Sequence, residues 1–426
     1  MGATTPRIAY LFSRYPVVSQ TFCDSEMLAL EKAGTRIVIG SINPPKTAFR
    51  HERLANLEAE VLYPPPSAAL KARFELAGRR GGEGWEALAA LQEDHEERYG
   101  PEFKAATRAR NGLYFAELFA RLGVGHVHVH FANRATHTAL FIARYAGIPF
   151  SFTAHARDFM VDLGSDELLG ELCAEASFVV AVSDFTRDML RESYPESAEK
   201  IVRIYNGIVL EDFPARRGPR VPGEPLRVIS VGRMVQFKGF EHVIEACALL
   251  MHEGLPVQCT IVGDGPRRAL LHALAERLGL GEQIRFTGVM SQEEIKRELA
   301  ASDAFVLPCV MDDDGASDIL PTVIMEAMAV GLPVISTGLA GVKEMMEHEK
   351  TGLLVAPEDD ADLAGAIRRL AENEELCGRF GAAGREKAGE LFRLEDTSGQ
   401  LAARFQSALA AAGREHHQPS TPSTPP

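Results

Sequence analysis

Short apolar runs recur along the chain in two series, separated by longer segments in which apolar residues return every three or four positions. The first series is Ile8–Phe12, Arg36–Ser41, His126–His130, the stretch from Ile148 to Ala154, Phe178–Ser183 and Ile201–Tyr205. The second is Leu226–Val231, Val257–Val262, Ile284–Thr287, Ala304–Leu307, Val334–Thr337 and Leu353–Val355. Runs this short, rich in Val, Ile and Phe, read as buried strands, and the intervening segments carry helical spacing. Strand-helix alternation of this kind predicts α/β architecture with parallel sheets, each doubly wound. From Pro214 to Pro225 the sequence turns rich in proline and glycine, with Arg216-Arg217-Gly218-Pro219 and Pro222-Gly223, and reads as the linker between the two series. The expected domains are 1–215 and 216–395, followed by a helix over 396–412 and a low-complexity, disordered tail over 413–426.

Three segments depart from plain core patterning. His126-Val-His-Val-His130 alternates as a strand does, which sets three histidines on one face. Such a row has metal-ligand chemistry, yet no acid stands near it in sequence, so no zinc site is expected. Residues 67–123 are helical in pattern with mixed charge, as a solvated face is, the other reading being an acceptor-facing insertion. After the first strand, Pro16 and Ser19-Gln20-Thr21 lead into a helix that ends near Gly34, with Ser19 or Thr21 as its cap or as an acceptor contact.

The segment on which the second series turns is Asp318-Ile-Leu-Pro-Thr-Val-Ile-Met-Glu326-Ala-Met-Ala-Val-Gly331. Pro321 suits the first turn of a helix and Gly331 its end. Asp318 then precedes the helix start and Glu326 lies within it. The unpaired amides there favour an anion, and a nucleoside diphosphate is the expected one.

At 426 residues the chain exceeds what one core usually serves, in keeping with two domains. Its formal charge of −14 argues against nonspecific nucleic-acid binding. Cys23, Cys173, Cys247, Cys259, Cys309 and Cys377 follow no paired spacing and read as reduced core thiols. The start of the chain lacks the apolar region of a signal peptide, and no apolar run is long enough to span a bilayer. The expected location is cytoplasmic, with room for peripheral membrane contact through an amphipathic face.

Val231-Gly232-Arg233-Met-Val-Gln-Phe-Lys238-Gly239, Gly263-Asp264-Gly265-Pro266 and the acid pair Asp318 and Glu326 together resemble the retaining glycosyltransferases of family 4, also called glycosyltransferase group 1. The Ser-Gln-Thr-Phe22 segment resembles the bacterial exopolysaccharide, colanic-acid-type branch. The resemblance implies the GT-B fold: two Rossmann-like domains, an N-terminal acceptor domain and a C-terminal nucleotide-sugar donor domain, facing across a cleft, with the last helix crossing back onto the first. It implies donor contacts from Arg233, Lys238, Gly263, Asp264, Leu320, Pro321, Thr322 and Glu326, the last on the ribose. It further implies that Arg233 and Lys238 neutralise the leaving diphosphate and that Asp318 holds hydroxyls of the transferred sugar. His155, in His155-Ala-Arg-Asp158, would stand beside that sugar. The family usually has Glu followed by Gly where this chain has Asp318-Ile319.

The implied activity is sugar transfer from a nucleoside-diphosphate sugar to a hydroxyl of a saccharide or lipid-linked acceptor, with no metal and no other cofactor. Alternative readings are a GT-B epimerase or phosphorylase, or a noncatalytic nucleotide-sugar-binding subunit. The Asp312-Asp313-Asp314 run reads as solvated rather than as a metal site.

Overall fold

The computed structural model describes residues 6–17, 20–46, 52–155, 158–221, 223–313, 315 and 317–415. Ser19, Ala156, Arg157, Pro222, Asp314, Ala316 and the tail from 416 therefore lie outside the described residues. Thr21 is the first residue of the helix Thr21–Lys32, and no side chain among the described residues caps that helix.

Two compact units emerge. The first comprises 1–181, 189–204 and 398–426, and the second 182–188 and 205–397. In the first, seven parallel strands lie in the order β3-β2-β1-β4-β5-β6-β7. Their ranges are β1 Arg7–Arg14, β2 Ile37–Asn43, β3 Val61–Leu62, β4 Val124–His130, β5 Phe150–Ala154, β6 Val179–Ala181 and β7 Ile201–Arg203. The two-residue β3 gave no run long enough to read in the sequence. One core cluster joins Ile8, Tyr10 and Phe12 of β1 to Phe178 and to Leu401 and Phe405 of the last helix, Leu394–Glu415. Burial of these large side chains contributes roughly 1.5–3 kcal/mol each.

The second unit holds β8 Leu226–Val231, β9 Val257–Val262, β10 Ile284–Gly288, β11 Ala304–Leu307, β12 Val334–Thr337 and β13 Gly352–Val355. They form a parallel sheet in the order β10-β9-β8-β11-β12-β13. In both sheets the order reverses beside the first strand, between β1 and β4 and between β8 and β11. Ligands bind outside the carboxyl ends of strands at such switch points.

The chain passes from the first unit to the second at Tyr205, upstream of the proline-rich stretch expected to be the linker. That stretch is tied down on the second unit. The Arg216 amide donates to the Val330 carbonyl at 2.9 Å, the Arg217 amide to Ala300 at 2.8 Å, and the Arg216 guanidinium pairs with Glu374. Composition alone could not reveal this, because the prolines and glycines set local backbone shape while the arginines anchor it. The segment Val182–Asp188 also clusters with the second unit. There the Glu344 carboxylate accepts the amides of Asp184 and Phe185 at 2.7 and 2.8 Å and the Tyr205 hydroxyl at 3.0 Å.

All six cysteines are buried and free of disulfides. Among the described residues no helix is long and apolar enough to cross a membrane.

Candidate active site

In the second unit, parallel register brings two glycine loops together. Val231 of β8 pairs with Val262 of β9, so Gly232 and Gly263 follow side by side. The Gly232 amide donates to the Val262 carbonyl at 3.0 Å and the Met234 amide to the Asp264 carbonyl at 2.9 Å. A Cβ on Gly263 would stand 1.9 Å from the Gly232 carbonyl oxygen, and one on Gly265 2.5 Å from that of Met234. Gly263 also has φ +136°, where only glycine is at ease. Asp264 closes the second loop, accepting the Gly265 amide at 2.7 Å and pairing with Arg268 at 3.2 Å. Its carboxylate is thus committed to loop geometry.

The first loop continues through the 3-10 turn Gln236–Lys238 to Gly239, at φ +65° against the Pro308 carbonyl. This turn carries Lys238 inward. Burial works against its ammonium, but the Asp318 carboxylate, which Lys238 contacts directly, outweighs that cost and leaves the pKa raised. Arg233, on the same loop, is exposed and has no ion-pair partner among the described residues.

After β11, the chain runs through Asp318 to the helix Thr322–Val330. Pro321 takes the N-cap position, one step before the expected first turn, and no side chain caps the helix. The Ile324 amide turns back to the Pro321 carbonyl at 3.0 Å, and a helix start without a side-chain cap favours an anion. Gly331 ends the helix at φ +86°, as expected. Glu326 is 7% exposed, and its Oε1 accepts from Gln292 Nε2 at 2.9 Å. Leu320 is buried, Thr322 half-buried, and the Ser317 hydroxyl is buried without a hydrogen-bond partner. Asp313 accepts from Gln236 at 3.0 Å. The second unit thus gathers Arg233, Lys238, Asp318 and the free helix start on the loops that leave its switch strands, with Gly263 as the wall that lets those loops abut. Gln292 carried no sequence signal.

His155 belongs to the first unit, directly after β5. Register explains its surroundings: His128 pairs with Ser151 and His130 with Thr153, so the polar face of β4 meets a polar face of β5. Ser151 Oγ lies 2.7 Å from His126 Nε2 and 2.8 Å from His128 Nδ1, and Thr153 Oγ1 lies 3.1 Å from His128 Nε2. His155 Nε2 reaches His130 Nδ1 at 3.0 Å, and His130 Nε2 meets Glu26 Oε1 at 3.0 Å. The acidic partner missing from the local sequence therefore comes from the helix Thr21–Lys32. Glu26, His128 and His130 offer ligand atoms within 4.8 Å of one another, but both nitrogens of each histidine already engage protein groups. Burial pushes the His126 pKa down to about 3 and that of His128 well below its ordinary value. Asp158 accepts the Ala132 amide at 2.7 Å and the His155 amide at 3.2 Å.

Two Rossmann-like parallel-sheet units, with cations and free amides on the switch-point loops of the second, define the GT-B class of sugar-transferring enzymes. Within that class, residues 213–387 match the family described as Glycosyl transferases group 1, and residues 50–212 match Glycosyltransferase Family 4. The chain thus carries a domain of each of these two glycosyltransferase families and is a glycosyltransferase. It is 28% identical to the colanic acid biosynthesis glycosyltransferase named WcaL of Salmonella typhimurium, over 94% of this chain and 100% of that protein. Among solved structures, a glycosyltransferase from Rickettsia africae superposes with a TM-score of 0.71 at 20% identity, covering 95% of this chain and 99% of that one. Anabaena HepE, solved with UDP and glucose, superposes at 0.68 and 18% identity, covering 94% and 100%.

Proposed function

We propose that this glycosyltransferase moves a sugar from a nucleoside-diphosphate sugar to a hydroxyl of a saccharide or lipid-linked acceptor, with retention at the anomeric carbon, in polysaccharide assembly. The observation that carries the donor reading is the half-buried Lys238 beside Asp318, next to an uncapped helix start and the exposed Arg233. The leaving diphosphate gains negative charge as its bond to the sugar breaks, so groups that neutralise that charge lower the barrier. Arg233 offers a fixed fork of donors, Lys238 a compact cation, and the helix amides add further donors. Glu326 is assigned to the ribose hydroxyls and Asp318 to the transferred sugar. His155 is assigned to a hydroxyl of a sugar.

Lys238 and Asp318 neutralise each other before the donor arrives. Donor binding therefore exchanges one charge-assisted contact for two: diphosphate on Lys238 and sugar hydroxyls on Asp318. The pattern of Asp318 and Glu326 supports the retaining course, and the HepE complex with UDP and glucose supports a nucleotide-sugar donor. The likeness to WcaL supports a polysaccharide acceptor. The reading includes no metal ion, since cationic side chains and amides are assigned its work.

Donor panels of UDP-, GDP- and ADP-sugars with acceptor extracts test it, with the product anomer read by NMR. Lys238→Ala and Glu326→Ala should each slow transfer at least about tenfold, since charged hydrogen bonds contribute about 1.5–3 kcal/mol. Wild-type rates in both variants would remove the site, and an inverted anomer would remove the retaining course.

A further inference from the structure

We propose that Glu26 and His130 are positioning residues that hold His155 in the tautomer with hydrogen on Nε2, so that its Nδ1 offers a lone pair to a hydroxyl of the bound sugar. The inference deepens the proposed function, because it rests on His155 as the group that meets the sugar.

The order of donors follows from the far end of the relay. Tyr10 lies 2.6 Å from Glu26 Oε1, and burial, then the Glu26 charge, pushes its pKa well above the ordinary value. Tyr10 therefore keeps its proton and donates. The same carboxylate oxygen is 3.0 Å from His130 Nε2, and a carboxylate only accepts, so Nε2 carries hydrogen. A neutral imidazole that donates at Nε2 accepts at Nδ1. His130 Nδ1 is 3.0 Å from His155 Nε2, which must then supply the hydrogen. Burial lowers the His155 pKa well below its usual value, so the ring stays neutral.

What remains on His155 is Nδ1, an acceptor with no partner among the described residues. The ring is held in place by Phe22 and Phe131, at centroid distances of 4.9 and 4.5 Å, and by Asp158 on its backbone amide. An acceptor nitrogen takes a hydroxyl donor and gives nothing to a phosphate oxygen or a carbonyl. The ligand chemistry assigned to His155 is therefore a sugar hydroxyl.

Long-range proton–nitrogen NMR of 15N-histidine-labelled protein reads the tautomer directly. The wild type should show His155 with Nε2–H. Glu26→Leu removes the acceptor that holds hydrogen on His130 Nε2, so the relay loses its direction and the form of His155 with hydrogen on Nδ1 becomes populated. In that variant kcat should fall at least about tenfold while KM for the donor changes by less than about twofold. Ser151→Ala removes comparable buried hydrogen bonds from His126 and His128 outside the relay, and should leave the His155 tautomer as it is. A wild-type His155 with Nδ1–H, or an imidazolium at His130 donating to both neighbours, overturns the relay without any variant. An unchanged tautomer in Glu26→Leu, or an equal change in Ser151→Ala, also overturns it. If His155→Ala transfers normally, the proposed role of His155 falls, while the spectra still decide the relay.

Discussion

Glu171 shows how much one carboxylate can hold together in the first unit. Burial raises its pKa, but His95 Nε2 at 3.0 Å and the Tyr99 hydroxyl at 2.7 Å more than reverse this, holding it down to about 2. An unfolded glutamate titrates near about 4.3. The contribution of Glu171 is therefore complete above that value and is lost as pH falls toward 2. We expect Glu171→Gln to destabilise the protein at pH 7 by about 1–2 kcal/mol once solvent screening is allowed for. The same variant should flatten the acid limb of stability, read as urea midpoints from pH 7 down to 2.5. A limb as steep as the wild type's would place the titrating group elsewhere.

Residues differ in how readable they were. Arg233, Lys238, Asp318 and Glu326 stood out because their spacing from glycines and strand ends is local. The Lys238–Asp318 pair and the Gln292 bond to Glu326 were not legible, since each joins residues far apart in the chain. Glu26 was missed for the same reason. Nothing around it in sequence separates it from any other helical glutamate.

Among the elements, the two glycine loops of the second unit are the most constrained. Parallel pairing of β8 with β9 forces them into contact, and their closeness leaves no room for a side chain. Gly263→Ala should therefore lose at least about 2 kcal/mol of stability, from a positive φ and from the clash with the Gly232 carbonyl. Donor binding should weaken with it, because Arg233 and Lys238 ride on the displaced loop. Urea unfolding and a thermal-shift series with sugar nucleotides test the pair of effects. Wild-type values in both would mean that the loops accommodate a methyl group.

The expected strands recur in the structure almost run for run, because a buried strand needs a short apolar run and nothing else of comparable length does. The exceptions have local causes. Strand β3 is too short to carry a pattern, and the stretch after Pro214 is fastened by arginines that sequence reading took for linker polarity.

At the scale of the whole molecule, the last helix begins in the second unit and ends in the first. Leu401 and Phe405 fill the first unit's core, beside Tyr10, His126 and His128. Phe405→Ala should cost the first unit about 3–5 kcal/mol. Calorimetry should register this as a lower transition temperature, with sugar-nucleotide binding by the second unit retained. An unaltered transition would mean that the helix end is dispensable to that core.

The sequence by itself determined the two series of strands, the parallel α/β class, the helix from Thr322 to Val330 and the acids before and within it. Each of these is written in the order of neighbouring residues, where side-chain period and backbone preference act. Only the tertiary structure decided that Lys238 rests on Asp318, that Glu26 stands behind His130 and His155, and that the chain changes units at Tyr205. Those outcomes depend on which distant side chains a sheet order brings together, and burial then gives such pairs their strength, because water no longer competes for their charges and hydrogen bonds.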